Sequence, residues 1–100
     1  MNALDTSKAL ASLLITRGWK IALAESCTGG LVCATLTELP GSSDWFERGY
    51  ITYSNEAKAE CLDVPSQLIE SHGAVSEQVA KAMAEGARIN SGSNVAISIT

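Results

Sequence analysis

At 100 residues the chain has room for one domain, and with 46% hydrophobic and 18% charged residues it is globular rather than disordered. Its formal net charge of −4, with no basic stretch set against it, argues against unaided binding to a nucleic-acid backbone. No apolar run approaches the ~20 residues of a membrane span, and the N-terminus lacks the charged-then-apolar pattern of a secretory signal, so the chain reads as cytoplasmic.

The three cysteines, Cys27, Cys33 and Cys61, form no CxxC pair and leave an odd count, which speaks against a disulfide framework. A metal site is poorly supplied, because His72 is the only histidine and no ligand cluster sits at metal spacing.

In chain order, Thr6 or Ser7 can cap a first helix that carries Leu10, Leu13 and Leu14 and stops at Gly18. Ile21–Ala24 is a short unbroken apolar run, as a strand buried on both faces shows, and this strand ends near Ser26. A polar turn, Glu25–Thr28, and the Gly29-Gly30 pair lead into an apolar periodic helix over Leu31–Leu39, closed by Pro40-Gly41. After a Gly41–Ser43 loop, Asp44–Glu47 reads as a single helical turn and Gly49–Tyr53 as a strand. Ser54-Asn55 can cap a helix over Glu56–Leu62, and Pro65 suits the first position of a short helix ending at Gly73. Ser76 caps a longer helix with Val79, Ala80, Met83, Ala84 and Ala87 on one face, and Val95–Thr100 is a final apolar strand.

Alternating helices and strands predict an α/β layered domain with a mainly parallel sheet. Three strands make a narrow sheet, and the last has no helix to cover its far face. The 100 residues therefore read as a single, incomplete domain, truncated after its third strand.

The chemistry is expected where the first strand meets the following helix. Backbone N–H groups at that helix N-terminus favour an anion, and Ser26 and Cys27 stand beside them as nucleophile candidates. Ser26 lies at the carboxyl end of a parallel strand, where open α/β sheets place their sites, although a capping role for Ser26 or Thr28 is the commoner use. Cys27 gains thiolate character if it faces the helix N-terminus, or is a buried, inert thiol. A serine nucleophile needs a base. His72 sits in the last turn of a helix, where its charge suits a structural role. Lys58 falls in the first turn if Asn55 is the cap, where the dipole disfavours its charge, as a lysine base requires, or else it is a solvated surface residue. Tyr53 can relay a proton or fill core. Gly29-Gly30 matches neither a P-loop nor a dinucleotide fingerprint, so ATP and NAD are not supported and no cofactor is expected.

Four stretches, AESCTGG (24–30), LPGSSDWFERGYITYSNEAK (39–58), HGAVSEQVA (72–80) and VAISIT (95–100), resemble the C-terminal domain of the competence/damage-inducible proteins. That family includes the stand-alone nicotinamide-nucleotide amidases. The resemblance, which runs from about Ile21 to the last residue, implies a three-layer α/β sandwich. The implied reaction is metal-free hydrolysis of the carboxamide of nicotinamide mononucleotide to nicotinate mononucleotide and ammonia. By the same resemblance the nucleophile falls on Ser26, with Lys58 and Tyr53 as activating partners. Thr28, Gly29, Gly30, Ser42, Ser43, Asn55 and Thr100 are the candidate substrate-binding residues. A non-catalytic nucleotide-binding or regulatory module and a Cys27-dependent amidase are the alternative readings. The expected partners are a nucleotide substrate and further copies of the same chain. Arg48-Gly49 stands where many members have paired glycines and looks like the short stand-alone enzymes. The family pattern continues past Thr100 into a Gly-Ile-Ala-Gly-Pro-like loop that should line the same site, so little activity is expected of these 100 residues alone.

Overall fold

The structure, a computed structural model, describes residues 2–100. Helix α1 (Ala3–Arg17) leads into β1 (Ile21–Glu25), then α2 (Leu31–Thr37), a 3-10 turn at Ser42–Asp44 and β2 (Phe46–Ile51). Three helices follow, α3 (Asn55–Leu62), α4 (Ser66–His72) and α5 (Glu77–Ser91), and the chain closes with β3 (Val95–Ile99). The strands form one parallel sheet in the order β2-β1-β3, with β1 in the middle.

The unbroken apolar run of β1 is explained by that position. Alternate side chains point to opposite faces of a strand, and both faces of β1 are covered. Ala22 and Ala24 pack with Leu62, Val64, Ile69, Val79, Met83 and Ala87 from the α3–α5 side. Ile21 and Leu23 pack with Ala11 and Leu14 of α1, Leu36 of α2 and Trp45. The result is a three-layer α/β sandwich.

Local signals place most of the helices. Gly18 ends α1 in the left-handed conformation (φ 66°), and its N–H reaches back to the Leu14 and Ile15 carbonyls. The Ser76 hydroxyl accepts from Val79 N at 3.2 Å and starts α5. Several boundaries differ from expectation. Asn2, not Thr6 or Ser7, caps α1 by accepting from Asp5 N at 2.9 Å, and the Thr6 and Ser7 hydroxyls donate to carbonyls one turn back. Ser54, not Asn55, caps α3, and Pro65 sits just before α4 rather than inside it. Helix α2 ends at Thr37, short of Leu39.

The largest correction is at residues 44–47. The single turn of helix lies earlier, at Ser42–Asp44, and Phe46-Glu47 already belong to β2. Tertiary contacts decide this: Trp45 is buried against α1 and its carbonyl accepts from Ile21 N at 2.8 Å, which pulls the following residues into the sheet. Glu47 is the extra residue of an irregularity, because Ile21 pairs with Phe46 while Ala22 pairs with Arg48.

Helix α5 approaches α3 closely at Gly86, where an added Cβ would overlap the Leu62 carbonyl oxygen and lie 2.8 Å from its carbon. Gly86→Ala should therefore destabilise the domain by about 1–3 kcal/mol through overpacking, despite alanine's better helix propensity. A melting temperature raised by this substitution would refute the close approach. A second expectation concerns β3, which stands at the sheet edge with Ile97 43% exposed. Ile97 and Leu10 line two adjoining apolar clefts of about 300 and 310 Å³ on the α1 side. Such an edge offers unpaired backbone and apolar surface to another chain, so these 100 residues should self-associate, and Ile97→Lys should weaken the association. Light scattering decides it, and a monomeric unsubstituted chain contradicts the expectation.

Candidate active site

The end of β1 is tied to both neighbouring strands. Thr52 N donates to the Glu25 carbonyl at 2.8 Å, and Ser26 N donates to the Ile99 carbonyl at 2.9 Å. These bonds hold Ser26 one residue past the strand, where the chain turns through Gly29 (φ 61°) and Gly30 (φ 109°) toward α2. Both glycines take conformations that strain other residues.

Alternation along β1 puts Glu25 on the α1–α2 face and Ser26 on the α3–α5 face. There Ser26, 6% exposed, meets Lys58, which is 1% exposed. Lys58 lies one turn into α3, and its side chain reaches back beyond the helix start. Its Nζ donates to Ser26 Oγ at 3.1 Å and to the Thr52 and Tyr53 carbonyls, each at 3.0 Å. Ser26 Oγ also lies 3.4 Å from the Tyr53 carbonyl oxygen. Among the described residues the one ion pair is Arg48–Glu47, on the surface, so no carboxylate faces the Lys58 amine. In its neutral form the amine keeps two N–H bonds to the carbonyls and turns its lone pair to the Ser26 hydroxyl, the arrangement in which a lysine can take a proton from a serine.

Of the other candidates, Tyr53 brings its carbonyl to the pair, while its side chain is 73% exposed and so does not fill core. Thr100 lies at the same sheet edge, following Ile99, and its hydroxyl donates to the Ala74 carbonyl at 2.6 Å. Asn55 opens α3 and lines a cavity of about 270 Å³ with Glu56, Ser66, Ile69 and Glu70, which neither Ser26 nor Lys58 lines. The structure does not bring Ser42 and Ser43 to Ser26. They precede β2, whose first residue pairs with Ile21, so they lie at the opposite sheet edge, about 16 Å away along a five-residue strand. His72 is exposed at the end of α4.

The α2 N-terminus holds an anion, but the anion is the protein's own. The Glu25 carboxylate, fully buried, accepts from the Thr28 hydroxyl and from the N–H groups of Gly30 (3.1 Å), Val32 (3.1 Å) and Cys33 (2.8 Å). The expected ligand site there is therefore filled. Neither Ser26 nor Thr28 caps α2, whose N-cap is Gly30 without a side-chain bond. Cys27 is exposed rather than buried, and the N–H donors at the start of α2 are taken by Glu25. Sequence reasoning passed over Glu25. The signal was there: a carboxylate ending a doubly buried apolar strand must find partners.

Burial on its own would raise the Glu25 carboxyl, yet the neighbouring Cys33 thiol, the Thr28 hydroxyl and the Cys33 and Val32 N–H groups lower it to about 2. Burial, reinforced by hydrogen bonding to Glu25 and by its charge, pushes the Cys33 thiol up to about 12, so this cysteine stays protonated and inert. Gly49 makes room for it, since a Cβ there would overlap Cys33 Sγ. A carboxyl lowered from 4.5 to about 2 stabilises the fold fully above pH 4.5, and that contribution is lost as pH falls toward 2. The melting-temperature gap between the unsubstituted chain and Glu25→Gln should thus be widest near neutrality and narrow on acidification. A gap that stays constant down to about pH 2.5 would contradict the assignment.

The CinA C-terminal domain family matches residues 4–100. A CinA-like protein of Citrifermentans bemidjiense is 56% identical over 91 residues, which cover 91% of this chain and 22% of that protein. A CinA-like protein of Syntrophobacter fumaroxidans is 53% identical over 93 residues, again 22% of its length. Among solved structures, the competence damage-inducible protein A of Klebsiella pneumoniae superposes with a TM-score of 0.96 at 34% identity, covering all of this chain and 62% of that one. A competence/damage inducible protein of Agrobacterium tumefaciens gives 0.91 at 37%, covering 98% and 59%. The chain thus spans about a fifth of the length of these curated relatives and about three fifths of the solved ones. Identity is higher to the long relatives than to these solved ones, so Arg48 alone does not assign the chain to the short form. The match over residues 4–100, with the three-layer parallel fold beneath it, makes this chain a member of the CinA C-terminal domain family.

Proposed function

We propose that this chain forms the catalytic core of a nicotinamide-nucleotide amidase, a cytoplasmic, homo-oligomeric hydrolase of pyridine-nucleotide salvage. Its reaction converts nicotinamide mononucleotide and water to nicotinate mononucleotide and ammonia. The observation that carries this reading is the buried 3.1 Å contact between Lys58 Nζ and Ser26 Oγ.

In this mechanism Lys58 takes the Ser26 hydroxyl proton as Oγ attacks the carboxamide carbon. The same proton then goes to the departing nitrogen, the C–N bond breaks, ammonia leaves and the acyl group stays on Ser26. Water next attacks the ester, Lys58 receives its proton and returns it to Ser26 Oγ, and the carboxylate product is released. The Thr52 and Tyr53 carbonyls hold the amine in line through both halves. Tyr53 keeps its exposed phenol for the substrate side, with Gly29 and Thr100 as the remaining candidates there, since Thr28 and Gly30 are committed to Glu25 and Asn55 lines a separate cavity. The nucleotide phosphate does not sit on the α2 N-terminus in this scheme, because Glu25 already occupies those donors.

Ammonia release from nicotinamide mononucleotide by the protein tests the proposal. Ser26→Ala should lower kcat by about a thousandfold or more with substrate binding retained, since the nucleophile's loss leaves only binding and electrostatic stabilisation. A variant keeping a tenth of its turnover sinks the nucleophile assignment. Lys58→Arg should be nearly as damaging as Lys58→Met, because arginine keeps the charge but does not give up its proton. Loss confined to Cys27→Ala would favour the cysteine amidase, and binding without turnover in the unsubstituted protein would favour a regulatory module.

A further inference from the structure

Glu25 is buried, charged and adjacent to the proposed nucleophile, yet no step of the reaction uses it. The structure assigns Glu25 a positioning role: by gathering Thr28 and the Gly30, Val32 and Cys33 N–H groups, its carboxylate fixes the turn that presents Ser26 Oγ to Lys58. This role rests on the Ser26–Lys58 reading above.

The turn needs such a clamp. Residues 26–30 belong to no regular element, and two of them are glycines at positive φ, the residues with the most backbone freedom to lose. Only two backbone bonds stiffen the turn from within, Gly29 N to the Ser26 carbonyl and Leu31 N to the Thr28 carbonyl, each at 3.1 Å. Its entry is fixed by the Thr52 and Ile99 bonds to β2 and β3. Its exit is fixed by the Glu25 side chain, which binds at Thr28, Gly30, Val32 and Cys33 and so fastens the first turn of α2 to the end of β1. A nucleophile displaced by about 1 Å can lose roughly a hundredfold in rate, so a turn held only at its entry is a poor platform.

The chemistry of the clamp calls for a carboxylate. One oxygen accepts from the Thr28 hydroxyl, Gly30 N and Val32 N, while the other accepts from Cys33 N and faces the Cys33 thiol. Glutamine would place an NH2 group against one set of these donors. Aspartate keeps the charge but is one methylene shorter, so it cannot span the same donors from the same backbone position. Both variants should fail for reasons that charge alone does not explain.

The test compares Glu25→Gln, Glu25→Asp and Ser26→Ala in the protein, by steady-state kinetics on nicotinamide mononucleotide and by amide hydrogen exchange. Both Glu25 variants should lose roughly ten- to hundredfold in kcat with KM changed less than about twofold. Amide protection at Gly30, Val32 and Cys33 should fall while that of α5 is kept. Wild-type kcat in Glu25→Gln beside an inactive Ser26→Ala overturns the positioning role and leaves the hydrolase reading intact. Turnover surviving in Ser26→Ala overturns the hydrolase reading itself. Unchanged protection at residues 30, 32 and 33 in Glu25→Gln overturns the clamp whatever the kinetics. If the Glu25 variants do not fold, Thr28→Val removes a single donor and should give a smaller loss, again in kcat and not in KM. A change in KM alone would make Thr28 a substrate contact instead.

Discussion

Placing a lysine amine out of water obliges the surrounding chain to supply acceptors, and here the supply sets the local architecture. Lys58 sits just inside α3, so its side chain must turn back past the helix start to find carbonyls that no helix bond has claimed. It finds those of Thr52 and Tyr53, the residues between β2 and the Ser54 cap. The β2–α3 connection cannot lengthen or rotate without abandoning the amine. Because Thr52 is also bonded to Glu25 at the end of β1, the amine, the connection and the Ser26 turn form one hydrogen-bonded unit. Removing a partner from such a unit leaves buried polar groups unpaired, which costs more than the bond itself contributes.

Much of this was legible in the sequence because it is local. The apolar run Ile21–Ala24 announced a doubly covered strand, and Ser76 and Gly18 marked helix ends with their own hydrogen bonds. Ser26 at a strand's carboxyl end followed from the general behaviour of parallel sheets. What failed was non-local. Residues 44–47 carry no propensity against a helical turn, and it is the burial of Trp45 against α1 that commits Phe46-Glu47 to the sheet. The pairing of Ser26 with Lys58, 32 positions apart, depends on the β1–β2 register and on the α3 start, and no spacing rule encodes either. Ser42 and Ser43 show the same limit from the other side. They stand inside a family-like motif yet are carried to the far edge by the direction of β2.

Glu25 is legible in the sequence as a carboxylate that ends a doubly buried strand. A helix N-terminus after a parallel strand suggests an external anion, and that expectation hid a carboxylate five residues upstream of Gly30 that could serve as well. Its burial is tolerated because every approach to it carries a donor, and Gly49 keeps the space that lets the Cys33 thiol join them.

The two-residue periodicity of a strand then has a chemical consequence. Glu25 and Ser26 are neighbours in sequence but face opposite layers, the carboxylate toward α2 and the hydroxyl toward Lys58. A carboxylate beside the amine would favour its ammonium form and quench a base. A strand shifted by one residue would produce that result, and would also leave the α2 donors without an anion. The backbone of β1 thus separates the Glu25 carboxylate from the Lys58 amine across the thickness of the sheet. That separation lets one turn hold a full negative charge next door to the Ser26 hydroxyl and to a Lys58 amine that has no acidic partner among the described residues.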